Sequence, residues 1–322
     1  MLGPVGRGGR ARMRILSFNV QNLRLRRQGG ARALDGAVDG DTAAVADPAL
    51  DIADRRLTAA VIARADADVV CLQEVYDLPT LDHFHEAFLR PTGTAPWPWR
   101  VCLPGNDGHG RDIALMSRRP LQEVASHAAL TPADLELDPP PGIDPALPLF
   151  RRDCLRARLG ALTLFLVHFK APWPDPAAAH AVRRMEAEAL RRLILRRFGD
   201  DPDALWLVLG DFNEPAASPG GRAIAPLLAP FGVDLLARIP PTERWSYHLP
   251  EAGSAEGLYS RPDGMIASPA LARGWPDACP AVLREGLSGE TARYAGPRLA
   301  AVGRQRPHAS DHAALCIAFR GL

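Results

Sequence analysis

Several short stretches place polar, chemically capable side chains directly after apolar runs. The clearest is Ala204 to Pro215, ALWLVLGDFNEP, in which Leu205, Trp206, Leu207, Val208 and Leu209 read as a strand buried on both faces. Gly210 then lets the backbone leave the sheet, and Asp211 and Asn213 follow at the strand's C-terminal end. The pattern recurs along the chain. Asn19 and Asn22 close the run from Ile15 to Phe18, Glu74 closes VVCLQ, and His168 and Lys170 close LTLFLV. Asp112 and Asp263 instead stand immediately before short apolar runs, and Ser310, Asp311 and His312 precede the last one, Ala313 to Phe319. A rigid sheet fixes side chains at such places, while the loop end leaves room for a ligand. Carboxylates, amides and imidazoles gathered there suit acid–base work or a hard cation. Taken singly, each ending also fits an Asx turn or a rim salt bridge.

The elements that must position these groups follow from periodicity. Leu57, Ala60, Val61 and Arg64 fall at helical spacing and feed the Glu74 strand. A second helix is expected from about Ala177 to Phe198, with Val182, Met185, Ala189 and Leu193 on one face, leading into the Asp211 strand. CLRARL and LTLFLV read as a hairpin across Gly160 and Ala161. Residues 28 to 54, rich in Gly, Ala and Asp, read as a mobile surface loop, and the proline-rich stretch 132 to 148 as an irregular excursion. Residues 1 to 12 are expected to be a disordered tail, and 13 to 322 a single domain, with no internal repeat or long linker dividing it.

A hydrophobic content of 47% supports a sizeable core, and a net charge of +1 neither favours nor excludes a polyanionic partner. Arg24, Arg26 and Arg27 form one local basic cluster, and Arg191, Arg192, Arg196 and Arg197 another that reads as a solvated helix face. The five cysteines lack a CxxC spacing and favour reduced thiols. No signal-like segment and no membrane-length apolar run is present, so the expectation is a cytoplasmic monomer.

Seven pieces, SFNVQNL, VVCLQEV, RDIALMSRRP, VHFK, LVLGDFNEP, RPDGMIAS and SDH, occur in an order that resembles the endonuclease/exonuclease/phosphatase superfamily over residues 14 to 319. The resemblance implies an α/β fold of DNase I type, a four-layer sandwich of two mixed β-sheets flanked by helices. It also implies hydrolysis of a phosphate ester by direct attack of water, with Mg2+ as cofactor, Mn2+ as a substitute, and nucleic acid as substrate. A phosphoinositide, sphingomyelin or small phosphate ester is the alternative, since substrate choice in the family lies in loops around a shared site. A catalytically silent binding module is the remaining alternative.

Carried over by position, the resemblance makes Glu74 the main metal ligand, with Asn19 beside it and Asp311 in the same region. Asp211 and Asn213 match residues that orient or deprotonate water, Asp263 matches the carboxylate paired with His312, and His168 matches the second histidine. Asp112 is expected to partner His168. Of the 38 basic residues only Lys170 is a lysine, which makes it a candidate contact for the substrate phosphate or a site carboxylate. There are departures from the family pattern: Gln21 stands where abasic-site endonucleases carry an acid, VHFKAP lacks an Asn before His168, and His109 replaces an Arg common in bacterial relatives. Ser310, Asp311 and His312 do not read as a triad, because neighbours on extended chain face opposite ways.

Overall fold

The structure, a computed structural model, describes residues 12–28, 31–39, 47–140, 142–215, 221–250 and 257–322. In chain order, β1 (Arg12–Leu23), β2 (Leu25–Gln28) and β3 (Ala31–Leu34) precede α1 (Pro48–Ala65) and β4 (Val69–Val75). Next come α2 (Leu78–Phe84), β5 (Trp99–Cys102), β6 (Asp112–Ser117), β7 (Gln122–Ala125), β8 (Cys154–Leu159) and β9 (Leu162–His168). After α3 (Pro176–Phe198), β10 (Trp206–Asp211), β11 (Val233–Asp234), β12 (Tyr247–Leu249), β13 (Leu258–Ser260) and β14 (Asp263–Ala267), the chain closes with α4 (Pro269–Gly274), β15 (Ala281–Leu283) and β16 (Ala314–Arg320).

Two mixed six-stranded sheets carry the architecture, ordered β15-β16-β1-β4-β6-β5 and β11-β14-β10-β9-β8-β7. Each holds one parallel pair at its centre, β1 with β4 and β9 with β10. A parallel pair needs a crossover, and the two long amphipathic helices supply it, α1 for the first sheet and α3 for the second. The sheets meet through Ile15, Cys71 and Leu115 on one side and Leu164, Leu166, Leu207, Leu209 and Met265 on the other, all buried in one core. A second core lies between α1 and the first sheet, around Leu57, Val61, Leu72 and Ala114. A third lies between the second sheet and α3, around Phe165, Val208, Leu190 and Ile194. Four layers result, helix, sheet, sheet, helix, as expected for an α/β sandwich.

This topology explains where the polar strand ends go. β1, β4, β9 and β10 run the same way within their sheets and finish on one edge, delivering Asn19, Glu74, His168 and Asp211 there. The antiparallel strands β14, β16 and β6 start from that edge, so their first or preceding residues, Asp263, His312 and Asp112, arrive beside them. Asp211 pairs in register with both His168 and Asp263. Gly210 is required for this closeness: its φ is +143°, and a Cβ there would stand 1.9 Å from the Val167 carbonyl oxygen.

The described residues within 28–54 form ordered elements in place of the expected mobile loop, and residues 29–30 and 40–46 lie outside the described residues. β2 and β3 form a hairpin, and α1 starts at Pro48 with Asp47 as its N-cap. The first turns of α1 lack an apolar stripe because they bury Asp51 and Asp54, which bind Arg306 from near the C-terminus. Arg24 and Arg26 pair with Asp35 rather than forming a free basic patch. Residues 1–11 of the expected tail lie outside the described residues, and Arg12 already belongs to β1. All five cysteines are free thiols, and no helix among the described residues is long and apolar enough to cross a membrane.

Candidate active site

Asp211 occupies the centre of the converging edge. Burial and hydrogen bonding define it fully: Oδ1 accepts from the backbone N–H of Asn213 at 2.7 Å, and Oδ2 accepts from Nδ2 of Asn19 at 3.0 Å. Oδ2 also lies 3.5 Å from Nε2 of His168 and 3.9 Å from Nε2 of His312. Asn213, at φ +51°, donates from Nδ2 to the Phe169 carbonyl at 3.0 Å, tying the end of β10 to the end of β9. Burial pushes the Asp211 carboxyl up to about 6, against the pull of the His312 charge.

The two imidazoles are driven in opposite directions. His312 donates from Nδ1 to Asp263 Oδ2 at 2.8 Å, and Ser246 Oγ donates to the same carboxylate oxygen at 2.6 Å. Burial works against the His312 charge, but Asp263, Asp311 and Asp211 outweigh it and hold the ring well above the ordinary histidine value. His168 is buried with Nε2 3.5 Å from Asp211 Oδ2, and its Nδ1 finds no hydrogen-bond partner among the described residues. Burial, then the charges of Arg152, His312 and Arg111, hold it well below the ordinary value. The two imidazoles on either side of the Asp211 carboxylate are thus shifted in opposite directions.

Glu74 sits at a bulge. The β4–β6 register shifts between Gln73 and Val75, and Glu74 itself has φ +66°, which turns its side chain toward β1. Oε2 accepts from Asn22 N–H at 2.9 Å and Oε1 from Asn19 Nδ2 at 3.3 Å. Asp311 stands nearby with its backbone N–H on Gln21 Oε1. Burial pushes Asp311 up to about 7, and the neighbouring Asp39 and Glu74 carboxylates add to the rise. Asp311 thus faces the charges of Glu74 and Asp39, and carboxylate oxygens of this kind suit a hard divalent cation.

The structure gives three of the expected site residues partners other than the expected ones. Asn19 turns its Nδ2 to Glu74 and Asp211, bridging the two carboxylates, while its Oδ1 accepts from Gln21 N–H at 3.1 Å. Asp112 does not pair with His168; its Oδ1 accepts from Gly105 N–H at 3.0 Å, and the carboxylate beside His168 is Asp211. Lys170 directs Nζ to the carbonyls of Ala171, at 3.0 Å, and Trp173. Ser310 donates from Oγ to the Asn19 carbonyl at 2.7 Å.

The chain's sequence pattern did not single out three further neighbours. Arg111 faces Glu74 and Tyr76; burial opposes its charge, but those two groups outweigh it and raise its pKa. Tyr247 lies tilted against the His312 ring, 4.7 Å between centroids, and burial followed by Asp311, Asp39, Asp211 and Glu74 pushes its phenol up. Ser246 completes the Asp263–His312 pair. Their spacing to the strand ends is set by loops, which carry no period. Tyr247 and Ser246 do lie within the aromatic and polar WSYH stretch, the one local signal available.

Asp211, Asp263 and His312 bring three potential ligand atoms within 4.8 Å of one another. Within that trio, Asp263 Oδ2 already accepts from Ser246 Oγ and His312 Nδ1.

The profile of the Endonuclease/Exonuclease/phosphatase family matches residues 16–312. The chain belongs to that family. Its fold agrees with solved members and relatives at low sequence identity. Truncated Caenorhabditis elegans TDP2 superposes with a TM-score of 0.56 at 14% identity, covering 96% of this chain and 98% of that one. An AP endonuclease from Archaeoglobus fulgidus gives 0.56 at 16% identity, covering 96% and 100%. An endonuclease/exonuclease/phosphatase from Beutenbergia cavernae gives 0.56 at 18% identity, covering 97% and 72%. No curated protein sequence matches significantly. At these identities the superpositions speak for the fold, and the family membership adds that its members are hydrolases acting on phosphate esters.

Proposed function

We propose that the protein is a divalent-metal-dependent phosphodiesterase that cleaves nucleic acid by direct attack of water. The observation that carries this reading is the buried Asp211 carboxylate between a neutral and a charged imidazole. A carboxyl raised to about 6 is a competent base near neutrality, and Asp211 would take the proton from water that Asn213 helps to orient. The His312 imidazolium, held by Asp263, would stabilise charge on the phosphoryl oxygens, with Arg111 adding positive charge on the Glu74 side. His168, neutral and flanking Asp211, would hydrogen-bond the reacting phosphate.

Glu74 and Asp311 are the residues that would hold Mg2+ or Mn2+. When bound, such an ion supplies Lewis-acid stabilisation of phosphate charge. No Ser or Cys nucleophile is needed. The unpaired thiols favour a reducing compartment, and we read the protein as cytoplasmic and monomeric.

The experiment is hydrolysis of bis(p-nitrophenyl) phosphate, followed by a panel of DNA, RNA, phosphoinositide and sphingomyelin. Turnover with Mg2+, loss in EDTA and preference for nucleic acid are expected. Turnover undiminished in EDTA overturns the metal reading, and preference for a lipid overturns the substrate.

A further inference from the structure

Arg55, in the second turn of α1, is fully buried and forms none of the salt bridges found among the described residues. Its guanidinium instead donates to five backbone carbonyls. Nε reaches Asp35 at 2.6 Å and Nη1 reaches Val20 at 2.6 Å. Nη2 reaches Gln21 at 2.7 Å, Asn22 at 3.1 Å and Gly36 at 2.6 Å. Three consecutive carbonyls, 20 to 22, therefore converge on one cation.

Such convergence demands an unusual backbone. Gln21 and Asn22 both adopt left-handed conformations, φ +48° and +54°, which non-glycine residues rarely populate. With the carbonyls drawn inward, the N–H groups point outward into the site. Gln21 N–H donates to Asn19 Oδ1, and Asn22 N–H donates to Glu74 Oε2 at 2.9 Å. The same turn places Gln21 Oε1 to accept from the Asp311 N–H and to meet His308 Nε2, both at 3.1 Å. The neighbouring Asp54 secures the other end, accepting from His308 N–H and Ala37 N–H, each at 2.9 Å, and from Arg306. Asn22 Nδ2 finally donates to the Val38 carbonyl at 2.7 Å, which fixes the backbone just before Asp39.

We infer that Arg55 is the positioning residue of the cation corner: a guanidinium that shapes the 20–22 turn and through it presets Glu74 and Asp311. This rests on the reading of those two carboxylates as cation ligands. Only arginine has the planar fork to bind five carbonyls at once; a lysine retains the charge but has three donors on one atom.

The test is Mn2+ binding to the substrate-free protein, measured by the quenching of the free-ion EPR signal, in the wild type and in Arg55→Lys. Arg55→Lys should fold, bind Mn2+ at least tenfold more weakly, and regain most of its turnover at saturating Mn2+. A folded Arg55→Lys variant with wild-type Mn2+ affinity overturns the inference while leaving the cation reading standing. A wild-type protein that binds no Mn2+ overturns both. Should Arg55→Lys fail to fold, Asn22→Ala removes the bond to the Val38 carbonyl and disfavours the left-handed turn while keeping Arg55; Mn2+ affinity threefold or more weaker supports the inference, and unchanged affinity overturns it.

Discussion

The Asp263 carboxylate lies 2.8 Å from Nδ1 of His312, and the opposite nitrogen of that ring points at Asp211. A buried carboxylate in this position both orients an imidazole and keeps its proton. Asp263→Asn should lower turnover by about 100-fold or more, since the ring loses its charge at neutral pH. Nuclear magnetic resonance titration of His312 should show its pKa falling in the variant. The sign for stability follows: with the folded value raised, the pair stabilises fully below the unfolded histidine pKa, and that contribution disappears as pH rises through the folded value. An unmoved His312 titration would refute the pairing.

Glu74→Gln preserves shape at the bulge and removes one charge. Its turnover should drop by about 100-fold, the scale of a major electrostatic loss. The wild type should be silent in EDTA and recover with excess Mg2+ or Mn2+. Equal activity of Glu74→Gln and wild type at all metal concentrations would exclude Glu74 as the ligand.

Arg111 faces Glu74 and helps to depress His168. Arg111→Gln should raise KM for a nucleic acid substrate by roughly tenfold, about 1.4 kcal/mol. It should also move the His168 titration upward, toward the ordinary histidine value. Unchanged KM together with an unchanged His168 titration would place Arg111 outside the site.

Lys170 donates to the Ala171 and Trp173 carbonyls, which makes it a loop fastener. Lys170→Met should therefore leave kcat/KM on bis(p-nitrophenyl) phosphate within about threefold while costing on the order of 1 kcal/mol of stability. A tenfold loss of kcat/KM in a variant of unchanged melting temperature would restore the phosphate-contact role.

The contrast between Lys170 and Asp211 shows what a sequence of this kind discloses. Strand ends were legible, because a buried parallel pair with a helical crossover leaves a continuous apolar run followed by an abrupt polar residue, and such ends share one edge. Asp211, Glu74, His168 and Asp263 with His312 all came from that signal together with the family's order of motifs. Orientation was not legible. Whether Asn19 offers oxygen or N–H, and whether Lys170 faces inward, depends on local backbone turns at Gln21 and in the 171–173 segment, which leave no periodic trace. Arg55 was equally hidden, since backbone carbonyls, its partners, look alike in every sequence. The first turns of α1 were read as loop because their buried residues are Asp51 and Asp54, charges paired with a residue far along the chain.

Direct attack of water on phosphorus is the central claim, and stereochemistry at phosphorus tests it most directly. A dinucleoside phosphorothioate of single configuration, cleaved in water enriched in oxygen-18 with Mg2+ or, where sulfur hinders Mg2+, Mn2+, yields a product whose configuration phosphorus-31 resonance can assign. One in-line displacement, with Asp211 as base and no covalent enzyme adduct, inverts the configuration. Inversion is the expected result. Retention would require two displacements through an enzyme-bound intermediate and would contradict the account.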